Sequence, residues 1–548
     1  MRKSRGISKL EWIGAAVALM SVAMLVGSII YQLNIPKYEK ELREARRLRD
    51  DDREPEKAGS LFKSALADAE AAGLKGEPIL VRIRDYGDFL ADYRFSYDEA
   101  LPLFNRGIEL ARSVKDPHWE AEFYKRIAGM QYWAIKAGSQ SEPDPSPALK
   151  AIELYPENFK QPTKFAADVY WALAQTYIGA HDYRKGDEYR EKAKAIYTKL
   201  EKPLPEGFYR SCIDSLVGQK KYSEANELFV EQMTEEYSDN EYSANRLRSD
   251  FYTAVKDSMP QVEDLRRKAA RMLDARDYDG LEKLADEMNH DSEPLSHGTW
   301  RIAYLVGGID DTEDYSSEKR WKWRIGQIED WMKARPSSDI SKIVYAEVMT
   351  SYAWKLKKRK NSSSDNDSDD DKEEESEATK KLFNQRLEKA WAKLQRVDHK
   401  TMAWYDAALD VGWWPKWKQT DYDKIYEECR DKYPQYTQAV VNKAAYLKSC
   451  HDGDDEDSSS ADFLKSEADQ LPKKKGDELY GVVLVGLDSG TDPHILKDEN
   501  FSWPRAKRGL LEAIRRHPDA LGLRAGLSSL ALEAEDVDTA GGAFDDLQ

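Results

Sequence analysis

Residues 170–197, YWALAQTYIGAHDYRKGDEYREKAKAIY, decide the fold. They divide at His181-Asp182-Tyr183 into two short amphipathic helices joined by a tight turn. Ala174 on the first helix and Gly186 and Ala193 on the second are small where the helices must cross closely, and Leu173, Tyr177 and Tyr183 fill the remaining space. A hairpin of this size cannot bury its apolar face alone and needs a neighbour on each side. The chain supplies them. Ala58, Phe62 and Ala65 share one helical face at i, i+4 and i+7. The same face returns as Ala100, Phe104 and Gly107 after FSYDE (95–99), and as Ala225 and Phe229 after KYSE (221–224). The anchors at 58, 100, 186 and 225 lie 42, 86 and 39 residues apart, which makes the unit about 40 residues long with one period skipped.

These hairpins resemble tetratricopeptide repeats over about 37–260. Leu173 and Ala174 match the family's leucine-glycine position, Tyr177 its first-helix aromatic, Asp182-Tyr183 its turn, and Gly186 and Ala193 its small contacts. Units at Tyr86 and Cys212 match less well, and SQSEPDPSP (139–147) breaks the period. The resemblance implies an α-solenoid whose concave face binds peptides or proteins, lined by exposed first-helix positions such as Gln175. Periodicity by itself shows only stacked helical hairpins.

The second half, 261–548, keeps the hairpin signals but changes composition: eleven of the fifteen tryptophans lie between Trp300 and Trp503. Arg276-Asp277-Tyr278 is a further turn, Tyr422–Cys429 a helix closed by Tyr433-Pro434, and Ala506, Leu510, Ala513, Ala540 and Phe544 continue the small-and-large face. ARMLDARDYDGLEKLADEM (270–288), the Trp321–Trp354 region and LKSEADQLPKKKGDELY (464–480) resemble an uncharacterised bacterial family of helical, repeat-like domains, a resemblance that implies no activity. Residues 361–379 and 452–460 are acidic and without large apolar side chains, and they predict disordered loops. Residues 365–377 and 452–457 hold thirteen of the seventeen net negative charges, so the rest of the chain is near balance and carries no nucleic-acid footprint.

At the N-terminus a basic tail, 1–11, precedes WIGAAVALMSVAMLVGSIIY (12–31), twenty residues without a charge. That length spans roughly 30 Å as a helix and predicts a transmembrane anchor with Trp12 and Tyr31 at its ends. Ser21-Val22-Ala23 offers the alternative of a cleaved signal peptide. Arg2, Lys3, Arg5 and Lys9 favour a cytoplasmic N-terminus with the body exported, against the bases Lys37 to Arg49 after the span.

Catalytic, cofactor and metal motifs are not found. Asp365, Asp367 and Asp369 alternate like calcium ligands, but Asp370 replaces the required glycine and Ser376 the bidentate glutamate. His118 and His181 stand singly, and no pair of histidines has ligand spacing. In Gly486-Leu-Asp-Ser-Gly490 the serine comes one place too late for a nucleophile elbow. Cys429 lies on the small-residue face of its helix, which favours core packing. The aromatic groups Trp321/Trp323 and Trp413/Trp414/Trp417 either line a ligand pocket or fill gaps between helices, and Trp414 is the residue that separates the two readings.

The sequence therefore predicts an all-α protein: an N-terminal transmembrane helix followed by an α-solenoid of tetratricopeptide-like hairpins. The function expected is a membrane-anchored scaffold for a protein partner of unidentified kind, without catalysis, cofactor or metal. An enzyme or ligand-binding protein with its site in the Trp-rich half, or a self-associating envelope protein, are the alternatives.

Overall fold

A computed structural model of the chain describes residues 35–50, 55–93, 96–136, 144–205, 207–235, 241–258, 260–289, 301–309, 318–361, 377–414, 417–450, 460–488, 495–498 and 500–547. Trp12, Tyr31 and the whole 12–31 span lie outside them, as do Asp365, Asp367, Asp369 and Ser489. Among the described residues no helix is long and apolar enough to cross a membrane. Even the 23-residue helix Asp339–Asn361 carries Lys342, Glu347 and the basic run KLKKRK along its length. The single-pass placement with an exported body is corrected on that finding.

Among the described residues the regular elements are all helices, and they form two compact units, one from those within 1–134 and 146–160, the other from those within 135–145 and 161–548. In the first, helices Lys37–Asp50, Pro55–Ala71, Glu77–Asp88, Tyr97–Ser113, Pro117–Lys136 and Ser146–Leu154 follow one another. The anchors Ala58, Phe62, Ala65, Ala100 and Phe104 are all at most 1% exposed. Phenylalanines enter glycine gaps: a Cβ at Gly87 would collide with the Phe104 ring, and one at Gly107 with the Phe123 ring. Pro156 follows the last α-helix of this unit and opens a 3-10 turn, Pro156–Phe159.

The second unit starts with the hairpin read from the sequence, Lys164–Gly179 and Tyr183–Lys199. Gly186 packs on Ile178 and the Ala174 carbonyl, and Ala193 is fully buried. At the turn His181 takes φ 59°, and the Asp182 carboxylate accepts the Lys185 N–H at 3.3 Å. This device repeats. Arg276 (φ 58°) precedes Asp277, which accepts the Gly280 N–H, and Glu535 (φ 59°) precedes Asp536, which accepts the Thr539 N–H. In each case an aspartate N-cap satisfies one of the helix's open donors. Of the stretches expected to be disordered, Asn361, residues 377–379 and Ser460 belong to helices, and residues 362–376 and 452–459 lie outside the described residues.

From residue 339 on, the first helices of successive pairs pack side by side in chain order: Asp339–Asn361, Met402–Val411, Thr437–Cys450, Lys473–Asp488 and Leu521–Glu533. Their partners Glu377–Leu394, Gln419–Lys432, Ser460–Asp469 and Trp503–Arg516 form the outer layer. Lys473–Asp488 and Trp503–Arg516 touch at the backbone, where a Cβ at Gly509 would collide with the Asp477 carbonyl. The end of the unit then returns to its beginning. Leu521–Glu533 packs on Tyr222–Glu235 and Glu241–Asp257. Buried Asn226 donates to the carbonyls of Ala540 (2.9 Å) and Gly541 (3.1 Å) and accepts from Ser528 (2.7 Å). A repeat stack normally needs polar caps over its end faces; here the last pair is covered by helices about 300 residues earlier in the chain.

Candidate functional site

The row of first helices in the second unit is where the polar chemistry collects. Between Arg301–Ile309, Asp339–Asn361, Met402–Val411 and Tyr436 lies a cavity of about 170 Å³. Ile302, Ala303, Val306 and Gly307 come from the first of these helices, and Glu347, Ala403, Asp406, Asp410 and Tyr436 from the others. Ala303, Gly307, Glu347, Asp406 and Asp410 are each partly exposed, so the cavity communicates with solvent. A Cβ built on Gly307 meets nothing within 4 Å, whereas one on its neighbour Gly308 would come to 2.6 Å from the Arg266 backbone. Helix 301–309 thus shows an open face to the cavity and a backbone seam behind it.

Asp406 and Asp410 stand four residues apart on a helix, MAWYDAALDV, that is otherwise apolar. This spacing puts both carboxyls on one face. Asn442, from the next first helix, donates to Asp406 at 3.0 Å and to Asp410 at 3.5 Å, and itself accepts from Gln438 at 2.9 Å. Burial pushes the Asp406 carboxyl up to about 6, and the hydrogen bonds from Tyr436 and Asn442 act the other way. Both of these hydrogen bonds come from neutral groups. Tyr436 is held far above its ordinary value, by burial first and then by Asp406. Tyr422, fully buried and stacked on Tyr446 at 3.9 Å, lies in the field of Asp410 and Asp406 with no hydrogen-bond partner for its hydroxyl.

The residues singled out in the sequence sit elsewhere. Trp414 is 7% exposed, donates to Asn384 at 2.7 Å and packs with Ala353, Phe383 and Leu387. Trp321 stacks on Tyr352 at 4.9 Å, and Trp413 sets its edge against Trp354 and Tyr446. None of these tryptophans lines the cavity. Gln175, expected on an exposed binding face, is only 9% exposed, because its helix packs against both Tyr183–Lys199 and Phe208–Gly218. The Cys429 side chain is fully buried, and burial pushes its thiol up to about 12. His181 bonds the Tyr183 hydroxyl at 2.7 Å, and His118 lies edge-on to Tyr155. Asp406 and Asp410 carried one sequence signal: two acids at i, i+4 inside an apolar helix. Glu347 and Tyr436 carried none, because only the packing of successive first helices brings them together.

The class these observations define is an all-α helical-repeat protein with its hairpins stacked as a solenoid. No protein-family model matches the chain, and no curated protein matches it. Among solved structures it is similar to the crystal structure of the yeast Tom70, at 14% identity over 85% of this chain and 91% of that one, with a TM-score of 0.27. A second similar structure is Naa15/Naa10 bound to HypK-THB, at 11% identity over 94% of this chain and all of that one, with a TM-score of 0.13. TM-scores this low carry no argument for fold or function.

Proposed function

We propose that the chain is a non-catalytic helical-repeat scaffold of tetratricopeptide-like kind that holds a protein partner on the first-helix wall of its second unit. The observation that carries this reading is the cavity between helices 301–309, 339–361 and 402–411: a preformed, solvent-open recess lined by both carboxylates and small apolar groups. A preformed surface avoids the ordering that weakens association. The test is affinity capture with the full chain after crosslinking in cells, comparing the unaltered protein with Gly307→Trp, which fills the recess. Leu382→Trp, at an exposed outer-layer position, serves as the control. A stoichiometric partner retained by the control and lost with Gly307→Trp supports the scaffold. Capture of the chain alone, or of a partner indifferent to Gly307→Trp, contradicts it.

One observation favours a catalytic reading: Asp406, raised to about 6, would be a poised general acid. Such an acid needs a second group free to complete the proton transfer. Tyr436, its nearest candidate, already donates to Asp406 and is itself held far above its ordinary value. The scaffold reading is therefore preferred.

A further inference from the structure

The outer layer of the second unit carries a larger cavity, of about 410 Å³. It lies between the outer helices Ser460–Asp469 and Trp503–Arg516, where the chain turns into Lys473–Asp488. Its floor is tight: a Cβ at Gly476 would collide with the Ala468 carbonyl, and one at Gly509 with the Asp477 carbonyl. Its mouth is open, because Asp469, Leu471, Lys473 and Arg508 line it as exposed residues. A groove with a fixed floor needs little ordering when something enters it.

Charge selects the occupant. In a chain of formal net charge -17, the bases Lys473, Arg505 and Arg508 line this groove against the acids Asp469 and Asp477. Asp477 is buried and holds both guanidinium groups: one oxygen accepts from Arg505 Nε at 2.9 Å, the other from Arg508 Nε at 3.2 Å. Arg505 is fixed further by Asp469, 2.9 Å from its Nη1, and lies over the Tyr480 ring at 4.9 Å. Its Nη2 stands beside Gly476, in the first turn of Lys473–Asp488. Lys474 and Lys475 follow Lys473 in that turn, both exposed, and no acid stands among them. Positive side chains there oppose the helix dipole. Glu512, on which Lys474 acts, is already paired with Arg515 at 2.7 Å, and Glu478 is paired with Arg516. An incoming oxyanion therefore meets a positive excess held in place, and guanidinium groups bind oxyanions directionally. A long polyanion is a poor match, since it would have to pass over the exposed Asp469. A small free anion would leave the exposed Leu471 uncovered.

We propose that this outer-layer groove docks an acidic segment of a protein partner, with one Asp or Glu side chain seated among Lys473, Arg505 and Arg508 and the segment's chain lying over Leu471. Occupation of this groove does not depend on the recess beside Gly307.

The experiment pans a bead-displayed library of random decapeptides against the full-length chain, with the double variant Lys473→Glu/Lys475→Glu and the control Lys465→Glu in parallel. Lys465 is an exposed base on helix 460–469 that does not line the groove. Glutamate suits the first turn of a helix, so the double variant should melt no lower than the unaltered chain, which separates lost binding from lost folding. The expected result is enrichment of Asp or Glu at one peptide position, falling about tenfold or more in the double variant and unchanged in the control. Enrichment without an acidic preference, or an acidic preference that the double variant keeps or that Lys465→Glu loses equally, overturns the inference. Retention of no peptide overturns it as well. Co-sedimentation of the unaltered chain with phosphatidylserine vesicles, absent in the double variant and without peptide enrichment, makes the groove a lipid-binding face and overturns the assignment to a protein partner.

Discussion

Gly307 and Gly308 are consecutive residues on one helix, and Asp339 and Asp406 are both half-buried aspartates on neighbouring first helices, yet each pair divides between two kinds of surface. Gly308 is closed against the Arg266 backbone, and Gly307 opens on space. Asp339 accepts the backbone N–H groups of Asp398 (3.0 Å) and His399 (2.9 Å) and pairs with Lys342 at 3.1 Å. Burial would raise it, but these donors prevail and its pKa is lowered. Asp406 receives only neutral side-chain donors, and burial prevails, so its pKa is raised. The corner at Asp339 is thus closed by backbone donors and a lysine, whereas the hydrogen bonds that Asp406 receives at the cavity wall come from neutral side chains.

Substitutions can sharpen or break this contrast, and the largest effect belongs to the seam. Gly308→Ala forces two backbones apart and should destabilise the chain by about 3 kcal/mol or prevent folding, read as loss of melting temperature. Asp339→Ala leaves two backbone donors without their acceptor and should cost about 2–3 kcal/mol at neutral pH. Because the native pKa of Asp339 is lowered, its contribution is full above about pH 4 and is lost as the pH falls through the native value. The Asp339→Ala deficit should therefore shrink in acid denaturant titrations.

Asp406→Asn should change stability in the opposite direction. A raised carboxyl pKa contributes stability below the ordinary aspartate range, near about pH 4, and loses it as the pH rises through the native value. Removing the charge should stabilise the chain on the order of 2–3 kcal/mol at pH 8 and have little effect at pH 4. Equal urea midpoints for Asp406→Asn and the unaltered chain at pH 8 would remove the distinction between the two aspartates. Gly307→Ala should give the smallest effect, a gain of roughly 0.5–1 kcal/mol from helix propensity in open space. A loss there would mean the cavity side is as closed as the seam.

Much of the architecture was legible because it rests on short-range patterns. Ala58, Phe62, Ala65, Ala100, Phe104, Gly186 and Ala193 were read as buried from helical spacing and are buried. The His181-Asp182 turn was read from its residue types and proves to be an αL residue followed by an N-capping aspartate. Closure of the second unit was not legible, because it joins Asn226 to Ala540 across more than 300 residues through carbonyl oxygens that leave no trace in side-chain type. The cavity was half legible. Asp406 and Asp410 could be paired by spacing, but their opposition to Ile302 and Gly307 depends on which helices pack together. Tryptophan density drew attention to Trp414, although its role is to fill a gap and bond Asn384. Gln175 was misplaced for a related reason: one hairpin cannot reveal that its neighbours cover both of its sides.

The most direct test of the central claim is a photocrosslinking amino acid placed at position 307, and separately at the exposed outer-layer position 382, in the full-length chain in living cells. The account predicts a discrete crosslinked product with another protein from position 307, none from 382, and loss of the 307 product when Asp406→Asn is added. Equal products from both positions, or a 307 product indifferent to Asp406→Asn, would contradict it.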